Sequence, residues 1–211
     1  MRTPWPGLGI LVLYLMAVFK WLPAYMDNRP AYSLRKTIVA FNIFQIIGCA
    51  YVVYQVRHNH LFYVKVKKKQ KLIPTYLVAL PPPLTSTKTV TFLHVYHHFG
   101  MVAVILLYRY NGGHGTFLVT LNSFVHVIMY AYYLLTVWDE SYKKSIWWKK
   151  YVTQVQIIQF TILLIHFTIL AVSSDCGFPR EPAFVLIPQN LFMVILFGDF
   201  YYRSYIKSKK A

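Results

Sequence analysis

Acidic side chains are scarce in this chain: 6 Asp and Glu stand against 22 Lys and Arg in 211 residues, and charged residues make up only 13 %. A soluble domain carries about a quarter. With 57 % hydrophobic and 18 % aromatic residues, the composition excludes an ordinary water-soluble enzyme and points to a multi-pass membrane protein. Cysteine is nearly absent. Cys49 and Cys176 are the two present, which excludes a disulfide framework, a Cys-x-x-Cys metal or redox site and a cysteine nucleophile. No internal repeat or separable soluble segment is visible, so residues 1–211 read as one domain. The first apolar run lacks a small-residue cleavage site and reads as a retained span.

The apolar runs lie at about 6–22, 37–56, 92–110, 115–138, 152–173 and 183–202, each near the roughly 20 residues needed to cross a bilayer. They are continuous and lack the alternation of barrel strands. The expected fold class is therefore an all-α polytopic helical bundle, with six runs long enough to be transmembrane helices. Lys and Arg gather between the runs, at Arg29/Arg35/Lys36, Lys65 to Lys71, Lys143/Lys144/Lys149/Lys150 and Arg203 to Lys210. That placement explains the +16 net charge as positive-inside topology and argues against nucleic acid as a partner. It predicts a luminal N-terminus, a luminal loop at Ser173 to Glu181 and a cytosolic C-terminus. A single segment, 57–89, changes character, with His58 and His60, the basic run, and Pro81 to Pro83, which stop any helix. His58 and His60 are expected to be a solvated pair. His114, in Asn111-Gly-Gly-His114-Gly, is expected in a solvated turn.

Histidine carries the chemistry. His94, His97 and His98 stand at i, i+3 and i+4 at the head of the 92–110 run, and His126 follows in the next. Asn122, His126, Tyr130 and Tyr133 share one helical face there. Ionisable groups at membrane depth are costly and mark function. One chemistry for such a box is a di-iron centre of the desaturase or hydroxylase kind, although the remaining histidines do not complete further boxes and Asp139 and Glu140 lie in a loop. The other is imidazole itself as nucleophile and proton carrier toward an activated acyl group.

His94-Val-Tyr-His97-His98, the Asn122 to Tyr133 stretch, Trp147-Trp148-Lys149-Lys150-Tyr151 followed by Thr153-Gln154-x-Gln156-x-x-Gln159-Phe160, Cys176-Gly-Phe-Pro179 and Met26-Asp-Asn28-Arg29-Pro30 together resemble the very-long-chain fatty acid elongases, the 3-oxoacyl-CoA synthases of histidine-box type. The resemblance implies seven spans in the endoplasmic reticulum membrane, six of them enclosing an acyl-chain tunnel. It implies condensation of a long-chain acyl-CoA with malonyl-CoA to 3-oxoacyl-CoA, CO2 and CoA, without metal or other cofactor. By it, His97 accepts the acyl group with His126 facing it. His94 and His98 orient His97 or move protons. Asn122, Tyr130, Tyr133, Gln156 and Gln159 meet the substrate, Lys149 and Lys150 attract the CoA phosphates, and Phe160 to Ile169 set the tunnel length. The Gln stripe reads equally well as interhelical hydrogen bonding. The pathway implies other enzymes of the elongation cycle as partners, and a homo-oligomer is compatible with it. The ending Lys207-Ser-Lys209-Lys210-Ala211 looks like a dilysine retrieval signal.

The chain departs from the family at 57–89, where Lys-x-x-Glu-x-x-Asp-Thr is expected. Aligned on Lys71, Pro74 stands in the Glu position and Leu77-Val78 in those of Asp-Thr. The chain is also short between Val56 and His94. A catalytically defective elongase-like membrane protein is therefore the second expectation, and the di-iron lipid oxidase the third.

Overall fold

The computed structural model describes residues 5–27, 35–58, 96–100, 113–173 and 180–207. His94, His60, Cys176, the 65–71 basic run, Pro81 to Pro83 and residues 208–211 of the dilysine tail lie outside the described residues. All regular elements among the described residues are helical: α1 (Trp5–Met16), α2 (Leu22–Met26), α3 (Arg35–His58), α4 (Gly113–Trp138), α5 (Glu140–Lys144), α6 (Ile146–Val172) and α7 (Glu181–Tyr201), with π-helical turns at Ala17–Trp21 and Tyr202–Ile206 and a helical turn at 96–100.

Four helices are long and apolar enough to cross a bilayer: Arg35–Val56, Gly113–Trp138, Ile146–Val172 and Glu181–Ile206. They match four of the expected runs. The first expected run instead forms shorter pieces, its apolar stretch being Val12–Tyr25. Of the 92–110 run, 96–100 is described.

The pattern within α6 shows why these segments pack as they do. Ile158, Ile162, Ile165, Ile169 and Val172 are exposed and recur at intervals of four and three, a stripe that meets lipid. Thr153, Gln159, Phe160, Leu163, Phe167 and Leu170 lie on the opposite side and are buried. Lipid is as apolar as the exposed stripe, so helix association rests on close packing and interhelical hydrogen bonds. Leu118 of α4, Leu163, Phe167 and Leu170 of α6, and Ala183 and Leu186 of α7 form one tight cluster. Met129, Tyr130, Tyr132 and Val152 form another, with Phe41 and Ile46 of α3 against it. α3 packs on α4.

Four threonine hydroxyls inside the spans are satisfied locally, as a water-free environment favours, whereas the buried Ser123 and Tyr130 hydroxyls of α4 have no hydrogen-bond partner among the described residues. Thr120, Thr153, Thr161 and Thr168 each donate to the carbonyl four residues back. Asp139 caps α5 by accepting from the Ser141 amide and hydroxyl, both at 2.8 Å. These two donors hold its carboxyl below the ordinary Asp range.

Polarity differs between the two ends of the bundle. The C-terminal end of α4, α5, the start of α6 and the end of α7 bring Lys143, Lys149 and Arg203 to one end. The opposite end is the Leu118–Phe167–Ala183 cluster. His114 departs from expectation there: it sits in the first turn of α4, half-buried, with Nδ1 3.0 Å from Nε2 of His166. A helix starting at Gly113 aims the imidazole at α6 instead of releasing it into a solvated turn. His58 is exposed, as expected, with Tyr54 against its ring at 4.2 Å.

Candidate active site

A cavity of about 880 Å³ opens at the basic end and reaches inward to His97, His98 and His126. Polar side chains meet between the helices at this end, whereas the far end is an apolar cluster. Gln156 donates to Met129 Sδ at 3.4 Å, Gln154 donates to the Tyr201 hydroxyl at 2.9 Å, and Thr153 Oγ1 lies 3.5 Å from Tyr205 Oη. The π-helical turn at Tyr202–Ile206 adds Arg203, Ser204 and Tyr205 to the wall. Such turns place side chains that a regular helix would carry elsewhere.

At the inner end the imidazoles meet. The His97 ring lies 6.3 Å from that of His126, nearly parallel at 25°, 5.5 Å from His98, and edge-on to Phe160 at 5.4 Å. His98 and His126 are buried. His126 Nδ1 sits 2.8 Å from the backbone carbonyl of Asn122. A carbonyl only accepts, so Nδ1 carries the proton and, in the neutral ring, Nε2 carries the lone pair. The helix thus selects the tautomer of His126. Phe160 and Leu163 close the space beyond; what remains between His97 and α7 is a gap of about 10 Å³, enough for one water at most.

Of the residues expected at the site, His97, His98, Asn122, His126, Tyr133, Lys149, Gln156 and Gln159 line the cavity. Tyr130 does not. It is 1 % exposed, with its ring edge-on to Phe41 at 5.8 Å, on the side of α4 that packs against α3. Lys150 also falls off the lining, its ammonium 6.0 Å over the Tyr201 ring. Of the 160–169 stretch, Phe160 and Leu163 bound the inner end, whereas Ile162, Ile165 and Ile169 face outward. Arg203 and Asp199, absent from the expected site, meet at the mouth through an Nε–Oδ1 contact of 2.8 Å. Both are exposed, so the pair adds little stability. Gln189 was missed as well. Its signal was an amide within the lipid-length run 183–202, where polar groups are seldom idle.

Fold and site together define a polytopic helical membrane protein with a histidine-lined cavity entered from a basic end. The family model described as the GNS1/SUR4 family matches residues 1–78 and 60–211, and the chain belongs to that family. It is 34 % identical to very long chain fatty acid elongase F of Drosophila melanogaster, over 99 % of this chain and 91 % of that protein. It is 33 % identical to human very long chain fatty acid elongase 4, over 100 % of this chain and 74 % of that protein. The human alignment runs to 239 positions against 211 residues here, so at least 28 positions face a gap. The two family matches overlap at 60–78, within the 57–89 segment.

Proposed function

We propose that this protein extends long-chain acyl-CoA by two carbons, condensing it with malonyl-CoA through an acyl group held on His97. The observation that carries the reading is the pair of facing imidazoles, His97 and His126, at the inner end of a cavity with a basic mouth. The membership of the chain in an elongase family supports it.

His97 attacks the thioester carbonyl, the C–S bond breaks, and CoA leaves as a thiolate that takes up a proton. The acyl-imidazole is an activated acyl donor. Decarboxylation of malonyl-CoA releases CO2 and leaves the enolate of acetyl-CoA, whose carbon attacks the acyl-imidazole. The C–N bond breaks, releasing 3-oxoacyl-CoA, and the departing imidazolate takes up a proton from solvent to restore His97. The His126 tautomer suits proton transfer, its Nε2 lone pair lying on the ring edge opposite the Asn122 carbonyl. Lys143, Lys149 and Arg203 attract the CoA phosphates at the mouth, and the acyl chain runs along apolar wall. No step needs a metal or further cofactor. The membrane of residence in this reading is the endoplasmic reticulum, where the elongation cycle supplies the enzymes that consume a 3-oxoacyl-CoA.

The test is transfer of labelled carbon from malonyl-CoA into lipid by membranes expressing the chain, beside His97→Ala and an empty vector. Label that depends on His97, falling about 10³-fold or more in the variant, is the expected result. Absence of label despite stable expression would mean that the carboxylates missing from 57–89 are required and that this chain is a defective copy.

A further inference from the structure

Gln189 plays no part in the chemistry above, yet the histidine-bearing turn closes around its side chain. Tyr96, one residue before His97, donates its hydroxyl to Gln189 Oε1 at 2.7 Å, and its ring stands edge-on to Phe192 at 4.9 Å, one turn along α7. Gly100, three residues after His97, faces the same amide from the other side. A Cβ on Gly100 would lie 2.7 Å from Gln189 Nε2 and 3.3 Å from Cδ. The amide is the flexible partner in that clash. A side chain at Gly100 therefore forces this amide to move.

The 10 Å³ gap that separates His97 from α7 is walled by Gln189 together with His97, Gly100, Asn122, Gln159 and Asn190. It leaves the turn little room to rotate. Pro188, next to Gln189, lacks an amide hydrogen and so interrupts the α7 ladder at this level. Here, α7 is less constrained by its own backbone and depends more on contacts to its neighbours.

We propose that Gln189 is a positioning residue that fixes the rotation of the histidine turn, through Tyr96 on one side and Gly100 on the other, so that His97 faces His126. The turn bearing His97 is anchored by this amide, and its loss lets the imidazole sample orientations away from the thioester. The proposal rests on the elongase reading for its kinetic consequence. Its structural consequence stands without that reading.

Two measurements test it on the full chain in membranes or detergent. In the malonyl-CoA assay, Gln189→Leu and Tyr96→Phe each lower kcat about tenfold while KM for acyl-CoA changes less than about twofold, and the double variant is no worse than either single. Gln189→Glu keeps an acceptor for the Tyr96 hydroxyl and retains most of the activity. Gly100→Ala behaves like Gln189→Leu, and adding Gln189→Ala to it lowers activity no further, because the anchor is already lost. The second readout needs no turnover: carbethoxylation of His97 by diethyl pyrocarbonate, followed by peptide mass spectrometry, changes severalfold in Gln189→Leu and Tyr96→Phe. Exposed His58, an internal standard, reacts at its wild-type rate. A wild-type chain without elongase activity but with this shift in His97 reactivity sinks the elongase reading and keeps the anchor. Folded Gln189→Leu and Tyr96→Phe proteins with wild-type His97 reactivity overturn the anchor, whatever the activity.

Discussion

The two ends of the α4–α6–α7 bundle are built from the same three helices and behave as different materials. At one end Leu118, Leu163, Phe167, Leu170, Ala183 and Leu186 interlock, and the helices touch. At the other, Gln156 meets Met129 and Thr153 meets Tyr205 between the helices, in the wall of a cavity of about 880 Å³. Apolar groups at the first end associate by close packing, while amides and hydroxyls at the second associate by interhelical hydrogen bonds. The lesson is that packing at the far end supplies the rigidity that lets the near end stay open.

The comparison breaks hardest at its apolar half. Phe167→Ala, removing a ring 1 % exposed, is expected to cost about 3–5 kcal/mol in unfolding of the detergent-solubilised protein. Phe197→Ala, in the cavity wall, removes a ring already facing space and costs about 1–2 kcal/mol. Equal losses would mean that the cavity is closed in the working protein. At the mouth, Lys149→Ala should raise KM for both CoA substrates about threefold to tenfold with kcat nearly constant, an effect that shrinks as salt is added. Lys150→Ala, whose ammonium lies over Tyr201, should change KM less; the reverse order would place the CoA on the other side of α6.

Smaller is the effect of His166→Leu, which removes the 3.0 Å bond to His114. Interhelical bonds of this kind contribute about 0.6 kcal/mol, so a slight drop in thermal stability without a change in KM is expected. Smallest is Asp139→Ala. The folded-state pKa of Asp139 is lowered by Ser141, so its cap is present above the unfolded-state Asp pKa and is lost as pH falls through the lowered value. Thermal melts of wild type and Asp139→Ala should therefore differ at neutral pH and converge in acid; a difference that persists in acid would mean that the carboxylate is not the stabilising group.

Much of this was legible along the chain. Lipid-length apolar runs dictate helices, since unpaired backbone groups are intolerable in hydrocarbon, and four such runs became the four long helices. The spacing of His97, His98 and His126 put imidazole within the membrane, and Asn122, Gln156 and Gln159 followed on the faces that their spacing assigns. Less legible was direction. Tyr130 shares a face with His126 by spacing alone, yet that face is wide enough to serve both the cavity and α3, and Phe41 decides which side Tyr130 takes. Lys149 and Lys150 are neighbours in sequence and diverge because a helix turns about 100° per residue.

What the sequence by itself determined is the class of element and the set of nucleophilic and basic residues, because these follow from local periodicity and residue type. Only the tertiary structure decided which residues meet. The His126 tautomer depends on a carbonyl within its own helix, but the His97–His126 stack, the His114–His166 bond and the Tyr96–Gln189 anchor each join residues on different helices. No local pattern encodes such distances, which depend on how close two packed helices come and at what rotation.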